Sequence, residues 1–229
     1  QLNKIPIHLV TYFDESYASR AKVMFDSAML SQPQATKILY LGGATRIGLE
    51  MFPRAVLQSL SDFLLDNDRL KHALKGRSWP EQIFTVGPSF LMEKLQEIPE
   101  GTWLVYADSD IWFQIPLEQY MEPFDEANVV LTRHRHYWWN RRRLAKYGEF
   151  NVGVIAFRNN VEGRRVLSKW AESCISWCKD HPENGKYADQ KYLESFSLWG
   201  EGVVIDERIG ANLAPWNSSM LSVLRLEDR

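Results

Sequence analysis

Asp108 and Asp110 are the residues whose type and spacing carry the most chemistry. They close the apolar run WLVYA, and a second apolar run, IWF, follows at once. If residues 103–113 are extended, side chains two apart share a face, so both carboxylates reach one ligand. Two hard oxygen donors at the lip of a sheet suit Mn2+ or Mg2+, and such a cation can hold a diphosphate. Asp108 and Asp110 are therefore candidate metal ligands, with Ser109 between them at the same cofactor-binding site, and a nucleotide sugar is a candidate substrate. The plainer reading is a turn in which Asp-Ser-Asp caps and solvates the chain.

The elements that must position this pair follow from the apolar patterning. Residues 5–13 (IPIHLVTYF) predict a strand ending at Asp14, where a helix can be capped. Residues 16–30 predict an amphipathic helix closed by Pro33, and residues 37–43 a short strand stopped by two glycines. Residues 54–65 read as helix, 66–80 as helix and loop, 82–87 (QIFTVG) as strand and 89–96 as helix leading into the Trp103 strand. Alternation of strand and helix predicts a mostly parallel sheet with helices on both faces, and ligands on such sheets gather at the carboxyl ends of strands. Beyond the carboxylates, residues 116–121 suit a short helix, 128–132 and 150–158 strands, 161–178 a helix and 188–196 a shorter one. No internal repeat or low-complexity linker divides the chain.

Length and composition narrow the classes. At 229 residues the chain can bury a large core and stand as one domain. Hydrophobic residues at 45% and charged residues at 24% are ordinary globular values, and a net charge of −2 gives no global pull toward nucleic acid or an anionic bilayer. No apolar run approaches the roughly eighteen residues a membrane helix needs. The expectation is no transmembrane segment, no nucleic-acid partner and a cytoplasmic location, with peripheral membrane attachment left open. The chain opens at Gln1 rather than Met, so it is read as a possible part of a larger multidomain protein. Cys174 and Cys178, four apart in a helical pattern, are expected to be buried thiols, since a complete zinc ligand set is not evident.

Four motifs then line up in order: YADSDIWF, FNVGVIAFR, ADQKYL and GANLAPWN. Together they resemble GT-A glycosyltransferases, in particular bacterial nucleotide-diphospho-sugar transferases akin to glycosyltransferase family 8, over residues 5–217. The resemblance implies a Rossmann-like, mixed but mostly parallel α/β sheet flanked by helices in a single domain spanning residues 1–229. The nucleotide-binding part would be about 1–114 and the acceptor side about 115–229. It implies a metal-dependent hexosyl transfer, with retention, from a nucleotide-diphosphate sugar to a glycan or lipid-linked acceptor in surface polysaccharide or glycoconjugate synthesis. It places Thr11, Tyr12 and Phe13 near the nucleoside, with Arg20 near a phosphate, and Asn151, Gly153 and Trp216 by the sugar. Asp189 and Gln190, with Asn151, stand at the reacting face. Plainer alternatives remain for each: core packing for Tyr12 and Phe13, a solvated Arg20, a loop contact for Asn151, an N-cap for Asp189 and a structural Trp216. Family 8 relatives take a third metal ligand from a late His, which this chain lacks after His181. Either the segment that carries it is truncated or absent, or Asn212, Asp206 or water completes the shell.

Residues 133–143 (RHRHYWWNRRR) carry seven cationic or imidazole side chains and three aromatics. A single-stranded nucleic-acid platform uses such a mixture, but the acidic whole-chain balance points instead to a loop serving an anionic or lipid-linked acceptor, or simply to a solvated loop. A non-catalytic nucleotide-sugar or carbohydrate-binding domain of the same fold is the main alternative function. A Mg2+-dependent phosphohydrolase is disfavoured, because its paired aspartates stand near the start of a chain.

Overall fold

The computed structural model describes residues 5–29, 35–41, 51–136, 141–208 and 210–218. One seven-stranded sheet organises them, with strand order β3-β2-β1-β4-β6-β5-β7. The strands are β1 (Ile7–Phe13), β2 (Ala35–Tyr40), β3 (Ala55–Ser59), β4 (Trp103–Ala107), β5 (Val129–Arg133), β6 (Phe150–Arg158) and β7 (Val203–Asp206). Strands β1 to β4 run parallel to one another, whereas β6 is antiparallel to both β4 and β5, and β7 rejoins β5 in parallel. The mixed, mostly parallel α/β expectation therefore stands.

Alternation along the strands sends apolar side chains to two cores. On one face Val10, Tyr12, Leu104, Tyr106, Ile155 and Phe157 meet α4 (Trp79–Glu97) and α7 (Val161–Ser176). On the other, Leu9, Val105 and Ala156 meet α1 (Ala18–Met29) and α5 (Leu117–Met121). Central strands buried on both sides read as unbroken apolar runs, which is why β1, β4 and β6 are recognisable by eye. Cys174 and Cys178 are both buried free thiols at the end of α7, as expected.

Three expected elements change type. The run 82–87 lies inside α4, because Ser78 and Glu81 form a capping box with Pro80 in the first turn, and the helix then continues to Glu97. A short apolar run does not by itself separate buried strand from buried helix. Residues 54–65 divide at Ser59, whose hydroxyl caps α2 (Leu60–Leu64), so the preceding residues pair with β2 as β3. The stretch 103–113 is extended only to Ala107, and Asp108 to Ile111 is a turn closed by the Ile111 N–H on the Asp108 carbonyl at 3.1 Å. Residues 137–140 of the basic segment, and 42–43 after β2, lie outside the described residues. The remainder of the basic segment is the last residue of β5, Arg133, an irregular stretch from His134 to His136, and the start of α6 (Arg141–Tyr147).

Helix α7 is seated by a close backbone approach. Asn160 caps it through the Gly163 N–H at 2.9 Å, and a Cβ added at Gly163 would stand 2.0 Å from the Arg158 carbonyl oxygen. Gly163→Ala is therefore expected to destabilise the protein by about 1–3 kcal/mol, lowering the thermal midpoint by several degrees in a calorimetric or circular-dichroism melt.

Candidate active site

The carboxyl ends of β1, β2 and β4 open into a cleft of ≈ 390 Å³. Asp108, Ser109 and Asp110 line one side of it, and the rings of Tyr12, Phe13, Tyr17, Trp79, Phe84 and Tyr106 form much of the rest. The two carboxylates share this cleft through the turn after β4, not through strand alternation. Two backbone bonds fix that turn. The Asp108 N–H donates to the Gly153 carbonyl at 2.8 Å, and the Phe113 N–H to the Ser27 hydroxyl of α1 at 3.1 Å.

Asp108 rests on a polar support built inside the apolar core. The Tyr106 hydroxyl donates to Asp108 Oδ1, and Tyr12 stacks on Tyr106 with ring centroids 4.9 Å apart. Gly87 of α4 makes room for this pair, since a Cβ there would lie 2.4 Å from the Tyr12 hydroxyl. Burial pushes the Asp108 carboxyl up to about 6, with the Tyr106 hydroxyl pulling it down and the neighbouring Asp110 raising it. Asp189 is buried nearby, held by its carbonyl, which accepts the Trp170 indole N–H at 2.9 Å. Burial and then the Asp108 charge push Asp189 up to about 7, opposed by its own and the Gln190 backbone amides. Asp14 at the cleft wall behaves oppositely. Burial raises it, but bonds from Ser16 and from the Trp79 indole at 3.1 Å outweigh that and hold it below the usual carboxylate range.

A second cleft of ≈ 510 Å³ adjoins the first, and Asp110 lines both. Thr132 of β5 and Val154 of β6 lie at its floor, with residues 111–115 on one side and 210–213 on the other. Asn151 reaches toward it from β6, donating to the Asn212 side-chain oxygen at 2.9 Å, and Asn212 in turn donates to the Arg133 carbonyl at 2.8 Å. Gly153 lets the Asn151 side chain lie across the strand, because a Cβ at 153 would meet the Asn151 amide nitrogen at 2.7 Å.

Several expected contacts sit elsewhere. Thr11 alternates to the opposite face of β1 from Tyr12 and is fully buried, its hydroxyl without a partner. Arg20 is exposed, its guanidinium 4.7 Å over the Tyr17 ring at the cleft rim rather than in the cleft lining. Gln190 gives its amide to the Tyr147 carbonyl at 2.8 Å. The Trp216 indole donates to the His134 carbonyl at 2.8 Å, and its ring packs by the stacked His134 and His136. Burial and His136 lower His134 to about 4 against a bond to the Gly148 backbone, so that imidazole is neutral at physiological pH. Asp206, expected as a third metal ligand, is gripped by the Arg208 guanidinium at 2.9 and 2.8 Å. Asn212, the other expected third ligand, is spent on Asn151 and Arg133. Tyr17 and Phe84 line the cleft without a sequence motif to announce them, whereas Tyr106 heads the YADSDIWF motif. For Trp79 the signal was there, in the S-x-x-E capping box that begins α4 beside it.

Among the described residues no three His, Cys, Asp or Glu side chains converge as a metal cluster. Two carboxylates with free oxygens beside an open cleft nevertheless fit Mn2+ or Mg2+, cations that bind through one or two carboxylates and complete their shells with phosphate oxygens and water. No known family model matches the chain. The uncharacterized proteins YfnD and YfnF of Bacillus subtilis are 28% identical over 159 residues and 29% over 161 residues, each match taking 67% of this chain. The chain spans about half the length of those relatives, 50% and 52%. Among solved structures, the galactosyltransferase LgtC in complex with donor and acceptor sugar analogues superposes with a TM-score of 0.53 at 16% identity, covering 86% of this chain and 72% of that one. Core-mannan synthase A of Aspergillus fumigatus in its Mn/GDP form gives 0.52 at 6% identity, covering 89% and 73%. The fold is GT-A. At such identities the likeness speaks for the architecture alone.

Removing only the Tyr106 hydroxyl, in Tyr106→Phe, is expected to weaken Mn2+ binding roughly 10–100-fold, as the loss of an outer-shell partner typically does, read by titrating free Mn2+ with electron paramagnetic resonance. A carboxyl raised to about 7 in the folded state keeps its proton where the unfolded chain, ionising near pH ~4, has lost it. The stability Asp189 lends is thus complete below about pH 4 and lost as pH climbs to about 7. Without divalent cation, Asp189→Asn should flatten this part of the melting-temperature profile and gain on the wild type above pH 7.

Proposed function

We propose that this chain is a metal-dependent glycosyltransferase that moves a hexosyl unit from a nucleotide-diphosphate sugar to an acceptor hydroxyl. The observation that carries the reading is Asp110, which lines both clefts, so that a group leaving one and a group entering the other would meet at one carboxylate. Fold likeness to LgtC and to core-mannan synthase A supports it.

In this reading the first cleft takes the nucleoside diphosphate. The rings of Phe13, Tyr17 and Trp79 give the base an apolar slot, a kind of contact that contributes ~1–3 kcal/mol per stacked base in other proteins. Asp108 and Asp110 are the residues that would hold Mn2+ or Mg2+. When bound, the cation neutralises charge that gathers on the departing phosphate. The protein's own part is to hold Asp108 in place through Tyr106 and to offer the Asn151 carboxamide, steadied by its bond to Asn212, to a sugar hydroxyl. Asp189, buried behind Asp108 and protonated below about pH 7, limits the negative charge gathered beneath the site. The donor cleft draws on residues 12–110 and the second on residues 110–213, which supports a nucleotide-binding part up to about residue 114 and an acceptor side after it. Retention at the anomeric carbon, a cytoplasmic location and a role in surface polysaccharide or glycoconjugate synthesis complete the proposal. Among the described residues no helix is long and apolar enough to cross a membrane.

A thermal-shift panel of UDP, GDP, ADP and CDP with and without Mn2+ tests it. At about a hundred times the dissociation constant the matching nucleotide adds about 2.7 kcal/mol, a rise of roughly 5–10 °C for a chain of this size. Asp110→Ala should fold and lose the cation-dependent part of the shift. No shift with any diphosphate sinks the proposal, and a shift indifferent to Mn2+ and to Asp110→Ala favours a non-catalytic binding domain.

A further inference from the structure

The second cleft, which meets the first at Asp110, has both polar and apolar lining. Its outer rim is apolar and open to solvent, with Trp112 55%, Ile115 38% and Leu213 48% exposed. Three large apolar side chains exposed around one concave site mark a ligand surface rather than scattered surface residues.

The charge within the wall narrows the ligand further. Arg208 lines the cleft, yet its Nε and Nη2 donate to Asp206, and its guanidinium lies 4.6 Å over the Tyr120 ring and 4.9 Å over Phe124. Its charge is offset by a carboxylate inside the protein. An anionic ligand would meet the carboxylate of Asp110 at one end and no uncompensated cation from Arg208 at the other, a poor exchange for its hydration. Arg133 and Arg135, from the basic segment once expected to draw an anionic acceptor, are also engaged. Arg133 pairs with Glu149 and Glu207, and Arg135 donates to the Asp206 and Ala211 carbonyls at 3.0 Å each.

We propose that the second cleft binds an uncharged amphiphilic acceptor, a glycoside or alcohol whose hydroxyl-bearing head lies at Asp110 and whose aryl or alkyl body runs over Trp112, Ile115 and Leu213. This rests on the glycosyltransferase reading and names the class of acceptor for it. The indole of Trp112 offers a flat apolar face to the body, and the Asp110 carboxylate accepts from the head's hydroxyl.

Isothermal titration of the purified chain with 4-nitrophenyl and octyl hexosides, the latter below their micelle concentration, with the free hexoses and with glucuronate oligomers, tests the proposal. The apolar glycosides should bind at least ~10-fold tighter than the free sugars, the factor expected for removing an alkyl or aryl surface of that size from water. Trp112→Ala, and separately Leu213→Ser, should each erode that preference several-fold while leaving Mn2+-dependent nucleotide binding at its wild-type value. Both side chains are exposed, so the variants should keep their melting temperature. Free hexoses or glucuronate oligomers binding as tightly as the apolar glycosides, or apolar glycosides indifferent to both substitutions, would overturn the inference. Apolar-glycoside binding that depends on Trp112, together with no nucleotide binding at all, would uphold the amphiphile site and sink the transferase reading, which separates the two failures.

Discussion

Everything at the open edge of this sheet depends on keeping one carboxylate, Asp108, upright on top of an apolar core. Two central strands deliver it there. A charge so placed loses hydration, and burial accordingly raises its proton affinity. The protein offsets this with the Tyr106 hydroxyl, while the Asp108 backbone N–H is held on the Gly153 carbonyl. Both contacts come from the sheet itself, so Asp108, the first residue of the turn after β4, is tied to the strands on either side of it. Its neighbour Asp110 is exposed and placed by the turn, which gives the pair one rigid member and one that meets solvent.

The support reaches deeper than the carboxylates. Tyr12 stacks on Tyr106, and Gly87 clears the space that Tyr12 fills. A glycine in the middle of a helix costs roughly 0.5–1 kcal/mol relative to alanine, so its presence in α4 is explained by the phenol that presses against it. Asp189 adds a second buried carboxyl beside the first, and its carbonyl is tied to Trp170 in the hydrophobic core. Helix α7, through Gly163 and Trp170, is thereby linked to the charge balance of the cleft.

The central strands β1, β4 and β6 were legible because burial on both faces leaves continuous apolar runs, and the motifs on their ends fell in the right order. The order placed the acidic pair at a strand end but could not distinguish a strand from a turn beyond Ala107, since IWF is apolar in either case. For residues 82–87 the local composition favoured a strand, and only the Ser78–Glu81 cap just before them reveals the helix. Side-chain bonds were invisible, Asn151 with Asn212 and Trp216 with His134 across long separations and Arg208 with Asp206 within one short segment, and each redirects a residue that pattern alone would place on a ligand. The aromatics of the first cleft come from three separate segments and share no motif, so only the folded chain gathers them.

The first cleft is built before Ile111 and the second from Asp110 onward, and the antiparallel β4–β6 pair is the seam where the early and late parts of the chain join. Such a division lets the two halves diverge at different speeds. Replacing the later half would leave the first cleft's lining unchanged, provided the incoming partner of β4 still presented a carbonyl to Asp108. The strand pair, more than either pocket, would then be the gatekeeper of which hybrids survive.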